Sequence, residues 1–299
     1  MDNIPLINFY PDLLAILFVD LLIAIALLTA FRKLAGLISN VSSTEELSEK
    51  DNFAFGLVFA GGMLALAIVM TGAISGDPGS SLFNEIVLVI TDGVLGIILM
   101  TLTRKILDKF ALPDINIHDQ VMKGNMAAAI VDVGNLIATA VIVRAVMVWI
   151  DDTSLFGLIA VVIGFVVSQV VLILVTKYRT SVYARRHNDG SLQKAFEEGH
   201  QALAIRYLGH KLGVALAVTA ASGFVPYNDE RIFMACLTWG LFSIILTIAL
   251  SLIAMGARQI ILAKIDVVKE VDIQKNMGIA YVEAMIYVSI GFILAGTIA

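Results

Sequence analysis

The sequence predicts an all-α protein, a polytopic membrane helical bundle with eight transmembrane helices built from parallel internal repeats of about 75 residues. Three observations lead there. Hydrophobic residues make up 59% of the chain and charged residues only 15%, with a mean hydropathy of +0.91, which is too apolar for a domain surrounded by water. Apolar runs of helix length occur eight times along the chain. A short polar start followed by an apolar run occurs four times at nearly constant spacing.

Crossing a hydrocarbon core of ~30 Å takes about 20 helical residues. Runs of that length lie near 11–31, 53–74, 82–103, 125–149, 155–177, 201–225, 232–255 and 276–299. They exceed the roughly 9–11 residues of a barrel strand and mix Leu, Ile, Val and Ala with Gly and Ser, so helices are expected. The first run follows MDNIPLINFYPD, which carries no Lys or Arg, and no small-residue cleavage site comes after it. It reads as an uncleaved first span. The second, fourth, sixth and eighth runs begin DNFAFGLVFAG, GNMAAAIVDVG, GHQALAIRYLG and KNMGIAYVEAM, and aligned on Asn52, Asn125, His200 and Asn276 they recur at 73, 75 and 76 residues. Asn at a helix start accepts from an N–H group that has no intrahelical partner, so these four are expected caps. The third run repeats the first: Asp92 with Arg104 and Lys105 follows Asp20 with Arg32 and Lys33 by 72 residues. The seventh holds the single Cys236, which excludes an intrachain disulfide. Gly56, Gly61, Gly62, Ala127, Ala129, Gly134, Gly209 and Gly213 are small residues suited to close helix packing.

Lys and Arg fix the expected orientation. Of the 20, all but Arg144, Arg206, Lys211 and Arg231 fall in the connections after the first, third, fifth and seventh runs. By the positive-inside rule those connections are cytoplasmic and both termini face outward. The outward connections SGDPGSS, DDTS and VPYNDE are short, so the spans they join are antiparallel neighbours. The inward ones are about 20 residues long and amphipathic, as in ARQIILAKIDVVKEVDIQKN, and offer the surface on which a cytoplasmic or membrane-protein partner would dock.

The starts KGNMAAAIVDVG and QKNMGIAYVEAM resemble the N-x-A-x-A helix starts of the bacterial YjfL-type family, domain-of-unknown-function family 350. Members are typically four-span proteins of about half this length. The resemblance therefore implies two four-helix membrane domains in tandem, 1–150 and 151–299, divided in the DDTS connection. It also implies a bacterial inner-membrane location and an unsettled role, in a family similar to those found alongside envelope-stress or polyamine-related genes. It carries no catalytic residues. The second half departs from the pattern, with His200 in place of Asn and with Arg206, His210 and Lys211 in the helix that follows.

Ionisable residues inside spans are the candidate functional residues, because each costs about 2.5–3.5 kcal/mol at a helix centre on insertion scales and calls for a partner. Asp20 and Asp92 lie near the middle of their spans. Asp132 and Glu283 occupy one repeat position, where the other two copies have Phe59 and Tyr207. Arg206 and His210 are four apart on one helix face, with Lys211 adjacent. Two readings follow. In one, Asp20, Asp92, Asp132 and Glu283 line a path for cations or protons, with Lys211 or Arg206 as a displaceable counter-ion. In the other, the charges pair and fix helix register in a membrane scaffold that recruits cytoplasmic partners. Arg144, near Trp149, is expected to snorkel to the headgroups. All five prolines lie outside the spans or at their ends, which argues against broken-helix transporter sites. No nucleophile motif, phosphate loop or H-E-x-x-H spacing is present, so neither enzyme activity nor a metal or cofactor is expected. The net charge of -5 and the topological explanation of the basic residues leave nucleic acid without support. The lipid bilayer is the expected partner, and a homo-oligomer is compatible with the pattern.

Overall fold

The computed structural model describes residues 11–39, 41–75, 82–150 and 155–298. Regular structure among them is helical throughout. In chain order the helices are α1 (Pro11–Ser39), the short α2 (Ser43–Ser48), α3 (Phe53–Ile74), α4 (Leu82–Ile106), the short α5 (Ile117–Met122), α6 (Met126–Ile150), α7 (Leu155–Arg186), the short α8 (Leu192–Glu197), α9 (Gln201–Ala221), α10 (Ile232–Ile261) and α11 (Met277–Ile298). Single π-helical turns occupy Leu107–Ala111 and Lys269–Ile273. The segment before Pro11 and the DDTS connection with its expected domain boundary lie outside the described residues.

Among the described residues seven helices are long and apolar enough to cross a membrane. The eighth long helix, α9, carries Arg206, His210 and Lys211 and falls outside that set, yet most of its residues are buried. The helices form two layers. The inner row runs α3, α6, α9, α11, and the outer row α1, α4, α7, α10 lies against it. Burial is greatest in the middle of the inner row: 83% of the α6 span is enclosed by protein, against 39% for α11 at the end of that row and 22% for α1 and 28% for α10 in the outer one. The central helices α6 and α9 thus meet mainly protein, and the outer ones mainly the surroundings, where Phe18, Phe233 and Ile245 are exposed.

Glycine sets the spacing of the inner row, since without a Cβ two helix backbones approach closely. A Cβ added to Gly61 would lie 2.7 Å from Val133 Cγ2, and one added to Gly134 would lie 3.0 Å from the Leu208 Cα. At Gly209 an added Cβ would collide with the backbone of Ala284. The three glycines stand nine residues after Asn52, Asn125 and His200, and the residues they meet stand eight after Asn125, His200 and Asn276. One contact is therefore made three times along the row. Met285 takes the corresponding place on α11, is 46% exposed, and ends it.

The polar starts do more than cap their own helices. Asn52 Oδ1 accepts from Phe55 N–H at 3.0 Å, while its amide donates to the Val121 and Met122 carbonyls, both at 3.3 Å, at the end of α5. Asn125 Oδ1 accepts from Ala127 and Ala128, and its amide donates to the Phe196 and Glu197 carbonyls at 2.9 Å, at the end of α8. His200 reproduces both roles: Nδ1 accepts from Leu203 N–H at 3.3 Å and Nε2 donates to the Asp272 carbonyl at 3.1 Å. Asn52, Asn125 and His200 so tie their helices to the next short segment, a second function that the cap pattern alone does not reveal, while the Asn276 amide donates to Glu270 in the turn before its own helix. The residue before each cap, Asp51, Gly124, Gly199 or Lys275, has positive φ. Gly adopts that conformation without strain, whereas Asp51 and Lys275 do not.

Candidate functional site

Two carboxylates at equivalent positions on the inner row meet arginines from the outer row. In the first half, Asp132 on α6 accepts from Arg104 at the end of α4, with Nη2 at 3.2 Å and Nε at 3.3 Å. In the second, Glu283 on α11, 1% exposed, accepts from Arg258 Nη1 at 2.8 Å and from Arg206 Nε at 2.6 Å. An ionised carboxylate at this depth is tolerated because a planar guanidinium both neutralises it and supplies aligned donors.

Around Glu283 the pairing widens into a network. Arg206 Nη1 also donates to Asp272 in the Lys269–Ile273 turn, and Nη2 donates to the Val267 carbonyl at 3.2 Å. Nε2 of His187 lies 3.4 Å from Asp272. The ends of α7 and α10, the turn before α11, and α9 and α11 themselves are thereby joined at the basic end of the bundle.

This network borders a cavity of about 130 Å³. Arg179, Arg186, Arg206 and Arg258 line it with His210, Tyr207 and Tyr287, against the two carboxylates Asp272 and Glu283. His210 is buried and packs edge-on against Tyr287 at 4.1 Å between ring centres. Arg179 lies 5.3 Å from the centre of the Tyr287 ring. The corresponding place in the first half is nearly closed, with about 20 Å³ between Arg104, His118, Asp132 and the rings of Phe31, Phe55 and Phe59. Counting from the caps Asn52 and His200, Val58 stands for Arg206, Phe59 for Tyr207 and Gly62 for His210. The space freed at Gly62 is filled by the end of the Phe31 ring, 2.5 Å from where a Cβ would sit.

The other candidates lie elsewhere. Asp20 is buried on α1 and Asp92 half-buried on α4, and neither lines either of these two cavities. The Lys211 ammonium donates to the Leu172 carbonyl at 3.2 Å and sits 5.5 Å from the Tyr207 ring, with no carboxylate in ion-pair range among the described residues. Arg144, near the end of α6, donates its Nε to Thr71 Oγ1 at 2.9 Å on α3. The structure thus brings Arg206, His210 and Glu283 together and leaves Asp20, Asp92, Asp132 and Lys211 apart from them. Arg104, Arg179, Arg258, Asp272, His187 and Tyr287 join the sites without having stood out in the sequence. The arginines were absorbed by the orientation argument, and Asp272 looks like one acid among several in an amphipathic stretch.

Fold and site define a membrane-spanning helical protein made of two related halves, one of which holds a charged cavity. The sequence profile of the family described as Domain of Unknown Function (DUF350) matches residues 8–147 and again 153–298. The chain belongs to that family, with two copies of the domain in tandem. No curated protein and no solved structure matches it.

Proposed function

We propose that the protein is a static membrane scaffold whose buried charges lock neighbouring repeat units together, and that it is not an ion path or an enzyme. The observation carrying this reading is that Asp132 and Glu283 are each neutralised by arginine from an adjacent helix. In this reading α9 is the eighth span, shielded from lipid by α6, α10 and α11, and the repeat of about 75 residues is the unit of assembly. The basic end faces the cytoplasm of a bacterial inner membrane, with both termini outside, by the excess of Lys and Arg there. The short helices α2, α5 and α8 at that end offer a surface to cytoplasmic or membrane-protein partners.

The competing reading, a cation or proton path through Asp20, Asp92, Asp132 and Glu283, needs carboxylates free to take up an ion. It has less support, since opening Asp132 or Glu283 would strand the arginine paired with it. The test is flux through purified protein in liposomes under an imposed potential or pH gradient. The scaffold reading predicts no proton or potassium flux above protein-free liposomes. Flux that disappears in Asp132→Asn or Glu283→Gln would overturn it.

A further inference from the structure

We infer that the cavity in the second half binds a phosphate group, carried either on a lipid headgroup or on a small soluble molecule. Its lining has four arginines against two carboxylates. Glu283 and Asp272 occupy Arg206 and Arg258, which leaves Arg179 and Arg186 with no carboxylate in ion-pair range among the described residues. The Nε of Arg179 is buried without an acceptor, and its Nη2 reaches only the Tyr287 hydroxyl, at 3.5 Å. His210, 5% exposed, lines the same space with a buried Nε2 that has no partner. Both unsatisfied groups border the same cavity. A planar guanidinium with its Nε–H unspent and only a long bond to a hydroxyl at Nη2, sharing a cavity with an imidazole nitrogen, matches the tetrahedral oxygens of phosphate better than a single point charge does.

Size and depth agree with this occupant. The volume of about 130 Å³ is several times the roughly 30 Å³ share of one water molecule. The cavity opens where α7 and α10 reach the basic end, and Tyr178 and Met255, both exposed, border it. Apolar surface therefore adjoins the charged space, as a lipid with its phosphate in the cavity would require. The first half provides an internal control, because Phe31, Phe55 and Phe59 close the equivalent place. One phosphate group per chain is expected.

The test uses the full chain in phosphatidylcholine nanodiscs. One arm titrates inorganic phosphate calorimetrically; the other adds phosphatidylglycerol or phosphatidic acid to the discs and counts retained lipid by native mass spectrometry. Saturable binding of one phosphate group per chain in either arm supports the site, the first arm identifying a soluble source and the second a headgroup. Arg179→Gln should weaken binding by about tenfold or more, with Lys33→Gln unchanged. Arg186→Gln, on an exposed side chain, is expected to fold and to weaken binding as well, and it decides the matter if Arg179→Gln does not fold. Absence of binding in both arms, two groups per chain, or wild-type affinity in the folded variants would overturn the proposal.

Discussion

Glu283 shows how a carboxylate is accommodated inside this bundle. Arg206 and Arg258 hold one oxygen each, so removing the charge leaves Arg258 without a carboxylate in ion-pair range among the described residues and Arg206 with Asp272 alone. Glu283→Gln is therefore expected to destabilise the protein by roughly 3 kcal/mol, since breaking a buried pair from one side is worse than replacing both partners. Thermal unfolding in detergent checks this, and a double variant with Arg206→Met should recover part of the loss. His200 gives a pH dependence. Burial holds its imidazole below the usual 6.5, and the neutral ring is needed because Nδ1 accepts from Leu203 N–H. Below pH 6.5 the unfolded chain takes up a proton that the folded one resists, so stability present at neutral pH is lost on acidification. His200→Asn, which keeps the cap, should flatten the fall in melting temperature between pH 7 and pH 5. The sequence marked Glu283 and the caps through their repeat positions, and Arg206 as a charge inside a span that departs from the repeat. It could not mark Arg179 or Arg258, because a basic residue at the end of a span has the same appearance whether it orients the chain or lines a cavity.

At the scale of elements, helix contact and helix start are set by different residues nine positions apart. Gly209 lets α9 lie directly on the Ala284 backbone. Gly209→Val should cost about 2 kcal/mol or more through overpacking, whereas the same change at Gly256, where an added Cβ meets nothing within 4 Å, should leave the melting temperature nearly unchanged. Lys275 holds a positive φ of 56° before the α11 cap. Lys275→Gly should raise stability by about 1 kcal/mol by removing that strain, provided no lysine contact at the surface is lost; the melting temperature reads both changes. The long apolar helices were legible because length and composition suffice for them. The short helices were not, since α2, α5 and α8 have six residues each and carry too little pattern. Their starts at Ser42, Asn116 and Ser191 do have capping side chains, a signal present in the sequence but common in any loop.

At the scale of the whole molecule the four inner helices form an open row, not a closed ring, because α3 and α11 stand at opposite ends and Met285 blocks the glycine contact that would continue it. Parallel repeats explain this, as each unit offers one edge to the next. The eight runs read from the sequence correspond to eight long helices among the described residues, of which seven qualify as spans by length and composition. Arg206, His210 and Lys211 lower the apolarity of α9, and only its place between α6, α10 and α11 makes a charged span physically acceptable. Whether α9 crosses the membrane therefore decides the account. The direct measurement is cysteine labelling in cells with a membrane-impermeant maleimide, in a Cys236→Ala background, at Ser191 before α9 and at Asn228 after it. Asn228→Cys should label in intact cells and Ser191→Cys only after permeabilisation. Labelling of both positions from the same side would contradict the eight-span row.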